Sequence, residues 1–467
     1  MRIIKKIQLI QPRHIYAPSF HEKKLGHIYM PTSLVTIAAV LNAVGVETEI
    51  IDENISEINF SHNIVGINLL GAPYIPIAIE IERKLIKKFG TNFQLLLGGQ
   101  VVSGLSDVDL KSLFSLQTLN GNLPKTLSKV FGISESKIPT MESVSLKKAY
   151  QLLGNDILKL YLSTEFGFYL SQGCKYSCSF CAAYRTITIG ERKQGVTEQY
   201  RDINIALSDF EFLVEKAVKF KIKKLQVYLS NLDLFQNPLQ LYPFADGIAK
   251  IKTNYPSIEI KLRGLATSRS FLHAHNQFPH VVKRMVEAGL EQIGFGIDGA
   301  TSQVYKATRK PQRVQESLKT IEICRNDYNI TPETLMVFGH NNIEDEEALK
   351  LDVKFCKDMQ SKFESVPRPH VAKDMVPGND GWMDPMNEGI RQMFYANPIL
   401  FQNLDFTAIP SPITHPNSAF SELVAKYYKM VCELPNSQTK FVLAELPTMS
   451  PEELAFIRMH NKERYDI

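Results

Sequence analysis

No cysteine occurs among the first 173 residues of this 467-residue chain, and there are only six in all. So few, in so long a chain, exclude a disulfide scaffold. They also exclude any thiolate-held metal in the amino-terminal third. No uncharged apolar run approaches the length of a bilayer span, so no membrane span is expected. Met1 to Pro12 is too short for an h-region with a cleavage site, and no secretory signal is expected either. Neither sign of charge dominates: the net charge is +4, and the basic residues are scattered. Runs such as Lys221, Lys223 and Lys224 read as a solvated flank before a strand, so a nucleic-acid partner is not expected. These absences point to a reducing cytoplasm, with thiols kept for metal chemistry or simply buried. Tryptophan is nearly absent too. The single Trp382, in Pro377-Gly378-Asn379-Asp380-Gly381-Trp382, either lines a substrate pocket or packs between domains.

What is present suits a globular protein of two or three units, with 44% hydrophobic and 22% charged residues. The first 130 residues alternate strand and helix. Strands are expected at Ile4 to Ile10, Val46 to Ile51, Ile64 to Leu69 and Gln94 to Leu97, with helices at Thr32 to Ala43 and Ile75 to Lys88. Nearly continuous apolar strands alternating with helices imply a parallel sheet covered on both faces. Ligands sit beyond the carboxyl ends of such strands. Here those ends are Gln11 to His14, Asp52 to Asn54, Leu69 to Pro73 and Gly98 to Gln100.

Residues 134–165 have weak periodicity and are expected to connect two units. A second alternating series follows, with strands at Phe166 to Ser171, Leu225 to Leu229, Ile258 to Leu262, Gln292 to Phe295, Thr334 to Phe338 and Phe363 to Pro367. Asp209 to Phe220 and Val314 to Arg325 are among the helices between them. Six such repeats fit an open or partial βα barrel with its site at the carboxyl ends of the strands. From about Asp380 the chain is rich in Met, Asn and Pro with helical patches, which reads as a helical extension. The fold class expected is therefore α/β: a Rossmann-like parallel-sheet domain (1–133), a connection (134–165), a partial TIM-type (βα)6 barrel (166–379) and a mostly helical carboxyl-terminal extension (380–467).

The densest chemistry lies in Ser171-Gln172-Gly173-Cys174-Lys175-Tyr176-Ser177-Cys178-Ser179-Phe180-Cys181, directly after the first barrel strand. Three thiolates in one loop are soft ligands that favour an iron–sulfur cluster or zinc. A structural zinc site wants a fourth Cys or His at matched spacing, and none follows closely. Three cysteines on a four-iron cluster leave one iron open to a substrate. The order C-x-x-x-C-x-x-C, with an aromatic residue before the last Cys, resembles the radical S-adenosylmethionine (SAM) superfamily. That resemblance implies a [4Fe-4S] cluster on Cys174, Cys178 and Cys181. Its open iron chelates SAM, and electron transfer releases a 5′-deoxyadenosyl radical. An external electron donor such as flavodoxin or ferredoxin is then implied.

The resemblance continues along the barrel for about 200 residues. Ser230-Asn231-Leu232-Asp233 stands where the family holds the SAM amino group, which implicates Asn231 and Asp233. Arg263 and Thr267-Ser268-Arg269 follow the third strand, where ribose or carboxylate contacts are implied for Arg263, Ser268 and Arg269. Gly294-Phe295-Gly296-Ile297-Asp298-Gly299 resembles the fourth strand, implicating Gly296 and Asp298. Gly339-His340 with Glu344 to Glu347 resembles the turn after the fifth. Tyr176 and Phe180 are expected to shield the cluster or flank adenine. His14 and His340 read as hydrogen-bonded loop residues rather than catalytic bases. Any one of these features taken alone is more often a helix cap or a turn than a ligand; it is their order along the chain that carries the resemblance.

The amino-terminal part resembles the cobalamin-binding domain found ahead of many such barrels. The matching pieces are Leu9-Ile10-Gln11-Pro12, Met30-Pro31-Thr32-Ser33-Leu34, Val46 to Asp52, Val65-Gly66-Ile67-Asn68 and Leu97-Gly98-Gly99-Gln100. Cobalamin contacts are implied at Pro12, Arg13, His14, Pro31, Thr32, Ser33, Leu69, Leu70, Gly71, Gly98, Gly99 and Gln100. The Asp-x-His-x-x-Gly motif that carries a lower cobalt ligand is absent, since Glu53, Asn54 and Ile55 follow Asp52. The loop Leu69 to Tyr74 would then meet the lower face. A dinucleotide is a weaker alternative, because G-x-G-x-x-G does not follow the first strand. A ligand-free scaffold stays open.

By this resemblance the expected protein is a cobalamin-dependent radical SAM methyltransferase acting on a carbon of a small molecule or peptide. One SAM methylates cobalamin, and a second yields the radical that activates the substrate. A non-methylating enzyme of the same architecture, performing rearrangement, ring formation or oxidation, is the alternative. A methylthiotransferase would need a second cluster, for which no cysteines exist before Cys174, and Cys324, Cys356 and Cys432 are isolated. A non-catalytic cobalamin or cluster sensor, a different class, predicts that replacing Cys174, Cys178 or Cys181 with Ala leaves function intact.

Overall fold

A computed structural model describes residues 5–13, 29–115, 122–183, 198–439 and 449–465. Four strands open the chain: β1 (Lys6–Gln11), β2 (Glu47–Asp52), β3 (Ile64–Asn68) and β4 (Gln94–Gly98). They pair only in parallel, in the order β2-β1-β3-β4. Because side chains alternate along a strand, the sheet has two apolar faces and both are covered. Ile7, Leu9 and Leu96 pack with helix Thr32–Ala43 in the larger core. Ile10, Val65, Ile67, Leu95 and Leu97 pack with helix Ile75–Phe89 in a second core. The strand order reverses direction between β1 and β3, so the crevice for a ligand opens between Pro12 and Leu69.

The second sheet has six strands, all parallel: β5 (Glu165–Phe168), β8 (Lys224–Leu229), β9 (Glu259–Ala266), β10 (Leu290–Gly296), β11 (Thr331–Phe338) and β12 (Val366–Val371). Their order, β12-β11-β10-β9-β8-β5, follows the chain. A right-handed crossover at every step winds such a sheet in one direction, and it curls into a half-barrel. Between β5 and β8, a short antiparallel pair joins β6 (Ser171–Gln172) to β7 (Gln199–Tyr200).

The expected α/β architecture is the one found, with differences at its joints. The sixth barrel strand starts at Val366 rather than Phe363. Helix Glu346–Phe363 runs through Phe363 and ends on Glu364 in the left-handed region, φ +52°. The stretch 134–165 is not irregular: it holds helices Lys147–Leu152 and Asn155–Leu162. Each is too short to show periodicity, yet Tyr150, Leu158 and Tyr161 are buried in the larger core. The expected first strand begins at Ile4, which lies outside the described residues.

The carboxyl-terminal helices are not a detached cap. Trp382 is 1% exposed and packs against Phe394, Tyr395 and Phe401 in the core that covers β3 and β4. Its role is packing between units, because no surface of it is left for a substrate. The ligand edge of the first sheet abuts the barrel and the connecting helices at several points. Thr32 Oγ1 donates to the carbonyl of Gly167 on β5 at 2.8 Å. Tyr161 Oη donates to Asp52 Oδ2 at 2.6 Å. Gly104 lies so close to Pro377 and Gly378, beyond β12, that a Cβ would sit 2.3 Å from their backbone. Among the described residues no helix is long and apolar enough to cross a membrane.

Arg201 and Asp209 clamp the connecting helices to the barrel. Neither side chain has exposed surface, and they pair at 2.5 Å. Arg201 also donates to the carbonyls of Tyr169 and Val144, while Asp209 accepts from Ser145 Oγ and the Leu146 amide. Removing one member leaves an uncompensated buried charge, which costs about 3–5 kcal/mol. Asp209→Ala is therefore expected to lower the denaturation midpoint by an amount of that order, measured by urea unfolding, whereas exposed Lys250→Ala leaves it within ~0.5 kcal/mol.

Candidate active site

The turn that carries the three cysteines is built from its two ends. β6 carries the chain to Gly173, whose φ of +93° lets it turn sharply where an L side chain would be strained. Ser171 Oγ donates to Glu198 Oε1 at 2.7 Å and accepts from Asn231 Nδ2 at 2.5 Å. Gln236 spans the start of the turn, donating to the Gly173 carbonyl and accepting from the Lys175 amide, both at 3.1 Å. At the far end, Ser179 N donates to Thr308 O at 3.0 Å and Asp380 N donates to Ser179 O at 3.1 Å. The turn is thus held from the ends of β8, β10 and β12 together.

Cys174, Cys178 and Cys181 are half-buried on this turn. Burial pushes the Cys174 thiol up to about 12 and the Cys178 thiol up to about 11, the latter opposed by the Lys310 charge. A thiol so raised needs a metal's own charge to lose its proton. Among the described residues no three Cys, His, Asp or Glu side chains converge on one point as a finished metal site. The donor chemistry nevertheless fits an iron–sulfur cluster: three soft thiols on one turn, with no imidazole or carboxylate among them to complete a zinc tetrahedron.

The inner face of the half-barrel lies below this turn. Ile260, Leu262, Ile293, Phe295, Met336 and Phe338 point outward into the larger core. By alternation the intervening residues point inward; Glu165, Gly167, Tyr228, Gln292, Leu335 and Arg368 are partly exposed, while Arg263 is buried. Glu333, with no exposed surface, collects the polar groups of this lumen. Arg263 donates to both its oxygens, Gln292 Nε2 to Oε1 at 2.5 Å and Arg368 Nη1 to Oε2 at 3.1 Å. Gly294 keeps the space open, since a Cβ there would stand 3.2 Å from Glu333 Oε2. Arg263 lies 3.4 Å from Glu165 and over the Tyr228 ring at 5.2 Å.

The residues expected from the sequence fall into three groups. Around the turn, Asn231 and Asp233 are buried; Asp233 accepts from Thr267 Oγ1 at 3.0 Å and Ser270 Oγ at 2.5 Å. Burial holds the Asp233 carboxyl above its ordinary range against those hydrogen bonds. Ser268 is fully buried, its amide on Gln312, and Arg269 donates to the Pro311 carbonyl. Lys175 covers the Tyr176 ring at 5.1 Å, and His340 meets the Phe180 ring edge-on at 5.9 Å. At the end of β10, Gly296 leaves room for Lys310, and Asp298, at φ +57°, pairs with that lysine.

Along the edge of the first sheet, the Pro12 carbonyl accepts from Asn54 at 3.5 Å, and Arg13 meets Glu53 and Glu80. Pro31, Thr32 and Ser33 begin the first helix, with Ser33 exposed. Leu69 is buried, while Leu70 is 49% exposed beside Gly71. Gly99 needs to be glycine for packing: a Cβ would sit 2.3 Å from the Leu69 carbonyl, whereas Gly98 has nothing near it. Gln100 is exposed. His14 lies outside the described residues. Asp52 is engaged by Tyr161 and Asn54. His340 is a buried loop residue, its Nε2 3.0 Å from the Asp298 carbonyl.

Sequence reasoning missed Lys310, Glu333, Arg368 and Glu198. The alternation of Gln292, Gly294 and Gly296 along β10 was a usable signal that one face of the barrel is not packed. Nothing local marked Lys310 or Glu198, which act across gaps in sequence.

Residues 168–351 match the family model of the Radical SAM superfamily, so the half-barrel is a radical SAM domain. Domains of that superfamily bind SAM and a [4Fe-4S] cluster. Among solved structures, the chain is similar to the radical SAM methyltransferase TsrM from Kitasatospora setae, with tryptophan and a SAM analogue bound (12% identity, TM-score 0.59, covering 81% of this chain and 75% of that one). It is also similar to the cobalamin-dependent SAM radical enzyme OxsB with aqua-cobalamin and SAM bound (12% identity, TM-score 0.60). That alignment covers 100% of this chain but only 62% of OxsB, so the chain spans less than two thirds of that enzyme's length. No curated protein matches the sequence. At such identity the likeness is one of fold: a parallel-sheet domain, a half-barrel and a helical carboxyl-terminal part.

Glu198 supplies a pH test of the support beneath the turn. Burial raises its carboxyl to about 7, against hydrogen bonds from Gln236 and Ser171 that lower it. The folded state then binds more protons than the unfolded state between about 4.5 and 7, so stability falls as pH rises through that window. The slope from this one group approaches roughly 1.4 kcal/mol per pH unit. Glu198→Gln is expected to remove that slope in denaturation midpoints taken from pH 5 to 7, and an unchanged profile would show that Glu198 is not its source.

Proposed function

We propose that the protein is a cobalamin-dependent radical SAM methyltransferase that acts on a carbon of a small polar molecule or peptide. The observation that carries this reading is the meeting of two ligand edges. The carboxyl ends of β1, β3 and β4 abut the half-barrel through Thr32 and Gly167 on one side and Gly104 and Gly378 on the other. A substrate between them would touch both.

The residues fit the two groups differently. On the barrel side, the turn held by Ser171, Gln236, Thr308 and Asp380 presents Cys174, Cys178 and Cys181 as cluster ligands, with Asn231, Asp233, Arg263, Ser268, Arg269, Gly296 and Asp298 proposed toward SAM. On the sheet side, the switch point between Pro12 and Leu69 and the open position at Gly98 suit a flat macrocycle, with Arg13, Pro31, Thr32, Ser33, Leu70, Gly71, Gly99 and Gln100 around it. Ala72 and Pro73 lie in an apolar helical turn, and Asp52 is already committed to Tyr161, so among the described residues this edge offers no strong lower ligand. When bound, cobalamin would supply the methyl group and the SAM-derived radical would activate the carbon that receives it.

The chain's own residues shape the substrate. Glu165, Tyr228, Arg263, Gln292 and Arg368 line the lumen with hydrogen-bonding groups. Glu333 is saturated by its partners, so it orients Arg263 and Arg368 rather than accepting a ligand's proton. A lumen of this kind disfavours a lipid, since its buried polar groups would lose partners without replacement.

Anaerobically reconstituted protein is expected to hold one [4Fe-4S] cluster and one corrin per chain, measured by iron content and absorbance. It is expected to release 5′-deoxyadenosine under dithionite. Cys174→Ala, Cys178→Ala and Cys181→Ala should each reduce 5′-deoxyadenosine to background, about 10³-fold or more, as removal of an acting group does. With methyl-labelled SAM and a metabolite extract, label should pass to a carbon of a polar product. A loaded cluster without corrin, or product without label, would refute methyl transfer while leaving the radical chemistry.

A further inference from the structure

Lys310 follows helix Ser302–Ala307, in a turn that is tied to the cysteine turn by the bond from Ser179 N to Thr308 O, 3.0 Å. Its side chain is 9% exposed and is ion-paired with Asp298. Its ammonium fills the place of the side chain that Gly296 lacks, where a Cβ would stand 2.7 Å from Nζ. It also lies 6.0 Å from the centre of the Phe180 ring, between Cys178 and Cys181 in sequence.

Asp298 is fixed in turn. Its φ is +57°, and its carbonyl meets His340 Nε2 at 3.0 Å. The amides of Gly339 and His340 both donate to Glu344 at 2.7 Å, and the His340 ring packs edge-on against Phe180. The cation and its counter-ion are therefore locked on one side of the turn, the side where both charges act on Cys178. No exposed or mobile charge has that property, because solvent screens it.

We infer that Lys310, positioned by Asp298, sets the reduction potential of the cluster held by Cys174, Cys178 and Cys181. This rests on the cluster reading above and is independent of cobalamin. Lys310 is a positioning charge: it stabilises the form that carries one more electron, and Asp298 opposes it. The electron comes from the external donor, no bond forms or breaks, and no proton moves. Loss of the ammonium leaves Asp298 unbalanced and disfavours reduction; loss of the carboxylate charge does the reverse.

The test is an EPR-monitored redox titration with dithionite of the full-length, reconstituted protein, without SAM or corrin. Lys310→Met is expected to lower the reduction equilibrium constant about tenfold, a shift of ~59 mV for a one-electron couple. Asp298→Asn is expected to raise it by a similar factor. The double variant should return near the wild type, and Lys310→Arg should stay there. Opposite signs are the decisive result, since merely loosening the turn would move both variants the same way. Shifts of the same sign, or none, overturn the inference. If Lys310→Met takes up no iron, Asp298→Asn decides, and no upward shift there overturns it as well. A wild type that binds no iron overturns both this inference and the radical reading, whereas a loaded cluster with unmoved potentials overturns this inference alone.

Discussion

A carboxylate with no exposed surface governs the inner face of the barrel. Glu333 on β11 accepts from Arg263 on β9, Gln292 on β10 and Arg368 on β12, so one acidic group joins four adjacent strands. A buried carboxylate persists only where charged and hydrogen-bonding partners replace its water. That requirement explains the neighbouring positions: Gly294 makes the room, and Tyr228 supplies a ring face to Arg263. A half-barrel has too little apolar material inside to fill its lumen, and this network keeps the lumen polar and open without leaving groups unsatisfied.

The cysteine turn depends on that lumen in a different way. It is bonded into the ends of three strands through Gln236, Thr308 and Asp380, so its shape is a property of the whole barrel mouth. Charges around it are also arranged from several strands: Asp233 after β8, Asp298 after β10 and Lys310 beyond it. Asp233 and Asp298 are buried and the Lys310 side chain is 9% exposed, and little contact with water keeps their fields from being screened. Separate chain segments thus converge on a region that the local sequence Cys174 to Cys181 does not describe.

The first sheet and the carboxyl-terminal helices form the other wall. Trp382, Phe394 and Phe401 cover the β3–β4 side of that sheet, while helix Thr32–Ala43 covers the opposite side and starts against Gly167. The first sheet's own helices lie on its two faces, and the carboxyl-terminal helices add to the core on the Ile75–Phe89 side. The three parts of the chain therefore hold one another in place, and the ligand edge of the sheet is fixed against the barrel mouth by packing rather than by a linker.

The sequence by itself determined the strands, their parallel pairing and the soft-ligand turn, because each is encoded over a few consecutive residues. Apolar runs of strand length, a helix from Thr32 to Ala43 and the spacing of three cysteines need no partner to be read. The ends of elements were less legible: Phe363 belongs to a helix because its cap lies one residue further on. Tertiary structure alone decided that Trp382 is a packing residue, that Arg263 is held by a glutamate 70 positions away, and that Lys310 stands over Phe180. Those facts depend on which strands become neighbours and on how much water is excluded between them. Buried charge has no local signature, since a lysine or glutamate in sequence looks the same whether it is solvated or enclosed.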